Sequence, residues 1–418
     1  MVERGSCTLR RASRGRAEEL GFGRFLGNPK VTASEIIASA SRLVGERARG
    51  LHVLAIQDTT EVNFQRHAGR VQGLGPAGNG HDRGLFVHPV IAVAADSGAL
   101  LGLAGAQLWT RGEPQADRDY SVLAIEEKES YRWLVGAEQA KQALEPAAHV
   151  TVIADRESDI YEEWARLPDR RCDLLTRACR DRSLVGGGGL FTVSDDWPER
   201  RRIEIELRAQ PGRPARQATL ALRYGTVTIA RPRRSDPEAP KSLTLSLVEV
   251  REVMAKVKEP IHWRLLTTHD VDSPEAALQI LDWYRQRWHI EQTFRTLKKQ
   301  GLDIEASQVA SGEGLIKLAA MATVAAVRIM QLVLARDGAF ERPASDVLTP
   351  ELLPLAIALL RQLEGKTQAQ KNPHPHASLA WLAWIIARLG GWNGYKSDRK
   401  STRLNSSHSQ QSRMPSSA

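Results

Sequence analysis

The chain has 418 residues, 42% hydrophobic and 26% charged, with a net charge of +9 and a pI near 9.6. That composition supports a substantial globular core, is long enough for more than one domain, and points to an anionic partner, nucleic acid being the commonest, without choosing DNA over RNA. The longest apolar run, Leu318 to Val327, is bounded by Lys317 and Arg328 and falls short of the ~20 residues a membrane span needs.

The opening MVERGSCTLRRASRGR has no apolar h-region, so no secretory signal is read there. Cys7, Cys172 and Cys179 show neither a paired framework nor zinc-ligand spacing; they fit a reducing cytosol as buried small apolar side chains. The basic residues before Thr32 read as an exposed arm, and Thr32 as the N-cap of a helix over Ser34 to Arg49.

Strands follow. LHVLAIQ (51–57) is a continuous apolar run ending at Asp58, with TTEVNF continuing in extended form. LFVHPVIAVAA (85–95) and ALLGLAGAQLW (99–109) are joined by the turn residues Asp96, Ser97 and Gly98. A helical stretch spans about Arg118 to Ala143, and HVTVIA (149–154) is a further apolar strand ending at Asp155. This order describes an α/β sheet with acids collected at one edge.

From about Ser183 to Pro260 the pattern alternates, in RRIEIELRA, ATLALRYGTVTIA and SLTLSLVEV, as antiparallel strands of a separate β module do. Gly186 to Gly189 lacks a following Gly-Lys-Ser/Thr and reads as a flexible connector rather than a phosphate loop. IHWRLLTT (261–268) is one more strand. Ser273 opens a long helix, and Ala/Leu-rich helices follow at 314–336, 350–363 and 378–389. The tail DRKSTRLNSSHSQQSRMPSSA (398–418) has no apolar periodicity and resembles the conceptual translation of a sequencing-library adapter; it supplies three of the nine net positive charges.

On the long helix, at about 100° per residue, Arg287, Glu291 and Lys298 fall roughly 60°, 20° and 40° from Tyr284, all displaced one way. Trp283, Ile290, Phe294 and Leu297 form a neighbouring apolar strip, so the helix docks on a core with a polar stripe along its border. An i,i+4 ion-pair network would account for a single pair, but Glu291 has both Arg287 and Arg295 at that spacing. Three carboxylates, Asp58, Asp155 and Glu291, thus stand at element ends or faces where they could converge. Two hard divalent cations ~4 Å apart between such oxygens would activate a hydroxyl and stabilise the leaving oxygen of a phosphodiester, and Mg²⁺ suits so few carboxylates. Arg287 and Lys298 offer phosphate-directed charge, Tyr284 a hydroxyl or a ring. Taken singly, Asp155 also reads as a helix-start residue and Asp58 as a turn residue.

Tyr284-x2-Arg287-x3-Glu291-x6-Lys298 resembles the Y-R-E-K signature of bacterial insertion-sequence transposases of the DDE class. IQDTTEVNF (56–64) and DRESDIYEEW (155–164) look like that family's first and second acid motifs, and GRFLGNPKVT, GLFVHPVIAV and IHWRLLTT are similar to its accompanying segments; together they cover most of residues 15 to 397. The resemblance implies an RNase H-like mixed sheet flanked by helices, with Asp58, Asp155 and Glu291 as the catalytic, metal-binding triad. Arg287 and Lys298 would hold phosphates of the transposon end with Tyr284 beside them, and Trp263 would stack on a flipped base; the residue reading leaves a core role for Trp263 open. The implied domains are a partial N-terminal DNA-contacting region (1–50), the two core parts (51–182 and 261–310), an inserted β module (183–260) and a helical region (311–397). The implied activity is cut-and-paste DNA transposition with Mg²⁺, or Mn²⁺ in its place, by a cytoplasmic, nucleoid-associated homodimer on paired DNA ends, with no membrane partner. Because Asp58 lies near the start, the chain is expected to be short of the family's N-terminal end-recognition region, and because the family's C-terminal pattern breaks off near residue 397, the helical segments used for dimerisation are expected to be incomplete. The competing readings are an inactive remnant that only binds DNA and a glycosidase, which leaves the Tyr/Arg/Lys stripe unexplained.

Overall fold

The computed structural model describes residues 5–393 apart from 68, 79, 113–122, 208–214, 254–259 and 300; the expected tail at 398–418 lies outside the described residues. In chain order the elements are α1 (Leu9–Ala12), α2 (Arg16–Leu26), α3 (Ala33–Arg47), β1 (His52–Gln57), β2 (Thr60–Asn63), β3 (Gly75–Ala77), β4 (Asp82–Ala94) and β5 (Leu100–Trp109). There follow α4 (Arg132–Ala143), β6 (His149–Ala154), α5 (Tyr161–Arg166), β7 (Cys172–Arg177), β8 (Arg201–Leu207), β9 (Arg216–Ala230), β10 (Ser242–Glu252) and β11 (His262–Thr267). The chain then turns helical, with α6 (Pro274–Arg285), α7 (Trp288–Lys298), α8 (Gly312–Ala335), α9 (Leu353–Leu363) and α10 (Leu379–Leu389). This is the expected α/β class, a mixed parallel and antiparallel sheet with helices. The described residues fall into two compact units, a sheet unit (50–58 and 123–290) and a helical unit (5–49, 59–112 and 291–393).

In the sheet unit, β1, β6 and β7 are parallel neighbours, and β11, β10, β9 and β8 extend the sheet in antiparallel order. β1 and β6 are buried along all but their first residue, which explains their unbroken apolar runs: a parallel strand covered on both faces has no polar side to show. β7 is a strand the sequence reading passes over. The alternating strands β8 to β10, expected as a module of their own, are inserted between β7 and β11 in sequence yet continue the same sheet, because β10 pairs β11 and β11 pairs β7. The expected helix over 118–143 is regular only from Arg132, after two short 3₁₀ turns from Ile125; residues 118–122 lie outside the described part. Its Trp133 and Leu134 pack with Ile125, Ala154 and Ile160.

In the helical unit, β2, β3 and β5 each pair antiparallel with β4. The β4–β5 turn closes at Asp96-Ser97-Gly98, where Gly98 adopts φ 71°, a conformation glycine takes without cost. Thr32 caps α3 by accepting from the Glu35 amide, as expected. The basic N-terminal segment is not a free arm: it forms α1 and α2, and Cys7 and Leu26 enter a core with Val62, Leu85, Leu297 and α8. α8 is longer than the run read from the sequence, because it continues through Lys317 and Arg328; by length and composition it could cross a membrane, yet 61% of its apolar window is buried. Lys317 is buried too, its Nζ donating to the Asn28 carbonyl at 2.9 Å and pairing with Glu313 at 2.6 Å. All three cysteines are free thiols, but Cys179 is exposed rather than buried.

Candidate active site

Asp58 and Asp155 sit side by side. β1 and β6 run parallel in the register Ile56↔Ile153, so each aspartate lies two positions beyond a paired isoleucine, at the C-terminal ends of adjacent strands. Neighbouring strands are ~4.8 Å apart, which brings two carboxylates to one edge. The Asp155 side chain caps the following 3₁₀ turn, accepting from the Glu157 amide at 2.8 Å. Asp58 Oδ2 accepts from Arg287 Nη1 at 2.8 Å, with the arginine side chain 8% exposed.

The helix expected to carry the whole Tyr/Arg/Glu/Lys stripe is broken. α6 ends at Arg285 and α7 starts at Trp288, with Arg287 in the break. There the bonds shorten to i→i−3: the Arg287, His289 and Ile290 amides donate to the carbonyls of Tyr284, Gln286 and Arg287. This tightened turn shifts the register between Tyr284 and Glu291, and the stretch contains no Pro or Gly to announce it. Glu291 stands in the first turn of α7 and begins the helical unit. Lys298, on the last turn, lies 3.7 Å from Glu305 and 3.5 Å from the Thr60 hydroxyl.

Tyr284 and Trp263 are 1% and 2% exposed and pack edge to face, ring centroids 5.4 Å apart. Tyr284 and Trp263, both expected to contact DNA, are thus enclosed by the chain's own side chains in this structure. Burial pushes the Tyr284 phenol up to about 12, against the opposing pull of Arg287 and Arg177, with Asp155 and Asp58 raising it further. The phenol therefore stays protonated beside the acids.

Two residues of the site escape the sequence reading. Arg177 ends β7, and the parallel register Ala154↔Thr176 sets it level with Asp155; burial lowers its pKa. Glu163, on α5, is buried and accepts from Gln57 Nε2 at 3.3 Å and from the Ser158 hydroxyl. It thereby ties the residue before Asp58 to the turn that Asp155 caps. Burial, aided by the nearby Asp159 charge and opposed by the hydrogen bonds from Ser158 and Gln57, pushes its carboxyl from 4.5 up to about 8. A raised carboxyl is neutral in the fold when it would already be ionised in the unfolded chain, so its contribution is intact below about pH 4.5 and is lost as pH rises through about 8. Glu163→Gln is expected to flatten the decline in urea midpoint between about pH 5 and about pH 8; an unchanged slope would show that Glu163 ionises normally.

Residues 136–328, a stretch that contains Asp155, Tyr284, Arg287, Glu291 and Lys298, match the family model of the transposase DDE domain. Over that stretch the chain is similar to DDE-type transposases. Asp58 lies before the matched stretch. A solved structure of the piggyBac transposase synaptic complex with hairpin DNA is similar at 9% identity, over 78% of this chain and 61% of that one, with a TM-score of 0.31. The chain thus spans less than two thirds of that protein, and a likeness so loose carries no argument about this one.

The donor type at the ends of β1 and β6 fits a hard divalent cation: two carboxylates at one sheet edge, one of them already holding a positive group, the Arg287 guanidinium. Among the described residues, three histidines elsewhere in the sheet unit offer ligand atoms within 4.8 Å of one another.

Proposed function

We propose that this chain is a DNA transposase that cuts and joins DNA by metal-dependent phosphoryl transfer, with Asp58, Asp155 and Glu291 as its acids. The observation that carries the reading is the in-register placement of Asp58 and Asp155 at the ends of adjacent parallel strands in a chain whose residues 136–328 match the transposase DDE domain. Mg²⁺, with Mn²⁺ as substitute, would neutralise charge on the scissile phosphate and favour deprotonation of the attacking hydroxyl. Asp58 and Asp155 would supply oxygens to hold it. Arg287, paired with Asp58, is poised to move to a phosphate oxygen when that carboxylate takes up a cation, and Arg177 and Lys298 add positive charge for the DNA backbone. Tyr284 and Trp263 support the α6 end from within the core.

The proposed sequence of steps is cut-and-paste transposition. Water attacks a phosphodiester to free a 3′ hydroxyl at the element's end, and that hydroxyl attacks the opposite strand to give a hairpin. Water reopens the hairpin, and the 3′ hydroxyl attacks target DNA. Each is an in-line displacement, so one set of acids serves all. The partners are the element's terminal repeats, target DNA and a second copy of the chain, in the bacterial cytoplasm. On this reading residues 51–182 and 261–310 form the catalytic core, 183–260 an insertion, and 1–50 and 311–397 contribute to DNA contact and assembly.

The test is strand transfer on a pre-nicked DNA end carrying the element's own terminus, comparing this chain with Glu291→Gln in Mg²⁺ and Mn²⁺. Metal-dependent joining that the substitution abolishes is expected. If both proteins bind DNA in a salt-sensitive, sequence-indifferent manner and neither joins it, the chain is a binding remnant instead.

A further inference from the structure

We infer that His52, His149 and His269 form a second metal site, specific for a transition ion such as Zn²⁺, at the opposite end of the strands that carry the aspartates. Each ring offers one nitrogen, and the three lie within 4.8 Å of one another. His52 and His149 are the first residues of β1 and β6 and face each other in register; His269 follows β11. Their ring centroids are 4.9, 5.7 and 6.1 Å apart. Six residues of strand, about 20 Å, separate His52 from Asp58, so this cluster is distinct from the acid pair.

The surroundings are those of a built site. Asp173 on β7 accepts from His149 Nε2 at 2.8 Å and lies 3.4 Å from His269 Nδ1, the carboxylate–imidazole pairing that fixes the ring of a metal-ligating histidine. The Thr151 hydroxyl stands 2.8 Å from both His52 Nε2 and His269 Nε2. That hydroxyl can donate to one of these nitrogens while accepting from the other, which holds both rings towards the centre of the cluster. Trp283 closes one side, 4.8 Å from the His52 ring and 5.0 Å from the His269 ring. Three imidazoles with no thiolate select Zn²⁺, Cu²⁺ or Ni²⁺ over Mg²⁺. Zn–N bonds of ~2.1 Å require nitrogens ~3.4 Å apart in a tetrahedral site, a closure that small ring rotations supply.

An ion here would tie together β1, β6 and the segment leading into α6, with β7 attached through Asp173. Those elements lead, in turn, to Asp58, Asp155, Arg287 and Arg177. The site is a structural brace for the edge that holds the acids.

The full chain, stripped of metal with a chelator, is titrated with Co²⁺ and Zn²⁺. One ion per chain is expected, with the visible absorption of low-coordinate Co²⁺ displaced by Zn²⁺, and with Zn²⁺ raising the thermal midpoint. His149→Ala and His52→Ala should each abolish the spectrum, and Asp173→Asn should weaken binding by about 10–100-fold. Asp155→Asn should leave it unchanged. If the histidine variants do not fold, Zn²⁺ protection of these imidazoles from acylation in the unsubstituted chain, read by mass spectrometry, gives the same answer. Absence of binding, histidines acylated equally with and without Zn²⁺, or binding lost in Asp155→Asn but kept in His149→Ala, overturns the inference.

Discussion

Asp155→Asn is expected to lower metal-dependent DNA cleavage by about 10³-fold or more while leaving the fold in place. The two halves of that expectation have separate causes. A hard cation bound through a carboxylate contributes several kcal/mol of transition-state charge stabilisation, and about 1.4 kcal/mol is tenfold in rate. An amide has the shape of the carboxylate but not its charge, so it loses that share. The structural duty of Asp155 is to cap a turn by accepting from the Glu157 amide, and asparagine caps as well as aspartate does. The urea midpoint should therefore hold while single-turnover cleavage disappears. Retained cleavage would remove Asp155 from the chemistry.

Four residues on, in the same motif, the opposite is expected. Asp159 is 2% exposed and accepts from the Cys179 and Arg180 amides and from Arg182 Nε, at 3.0, 3.2 and 2.8 Å. The Arg182 side chain is only 5% exposed. Asp159→Ala strands a buried guanidinium and two amides at once, and breaking a buried pair from one side costs about 3–5 kcal/mol. Denaturant unfolding should show that loss. Arg182→Ala combined with it should cost less than the two changes added, since the second removes the charge the first left unpaired. Additive losses, or a loss under about 1 kcal/mol, would contradict a buried pair. Asp155 and Asp159 are thus both acids of one short segment, one open to a cation and one consumed by the fold.

That distinction marks how far the sequence can be read. The runs LHVLAIQ and HVTVIA, each ending in Asp, are legible because strands buried on both faces must be apolar throughout. Their pairing with each other is not, since nothing local encodes which strands lie side by side. Once paired, they reveal both the aspartates at one end and the histidines at the other. The break between α6 and α7 is hidden for a related reason: the helical periodicity runs on through Gln286 and Arg287, and the tight turn appears only with the fold, where Arg287 meets Asp58. Glu163 reads as an acid in the first turn of a helix, and only packing shows it enclosed between Gln57 and Ser158. CDLLTR, with Asp173 and Arg177 interrupting its apolar run, does not stand out as β7, and Arg177 is missed with it. Trp263 was accessible to a closer reading, since with Leu265 and Thr267 it forms the inward set of a period-two strand.

The central claim is that this chain transfers phosphoryl groups on DNA with a metal held by Asp58 and Asp155. Its most direct test is joining of a DNA end whose scissile phosphate carries sulfur in place of one non-bridging oxygen. A metal touching that oxygen predicts that the substrate is joined poorly in Mg²⁺ and recovers in Mn²⁺, which accepts sulfur more readily. Joining that is indifferent to the sulfur in Mg²⁺, or that fails in both metals while the unsubstituted end also remains unreacted, contradicts the account.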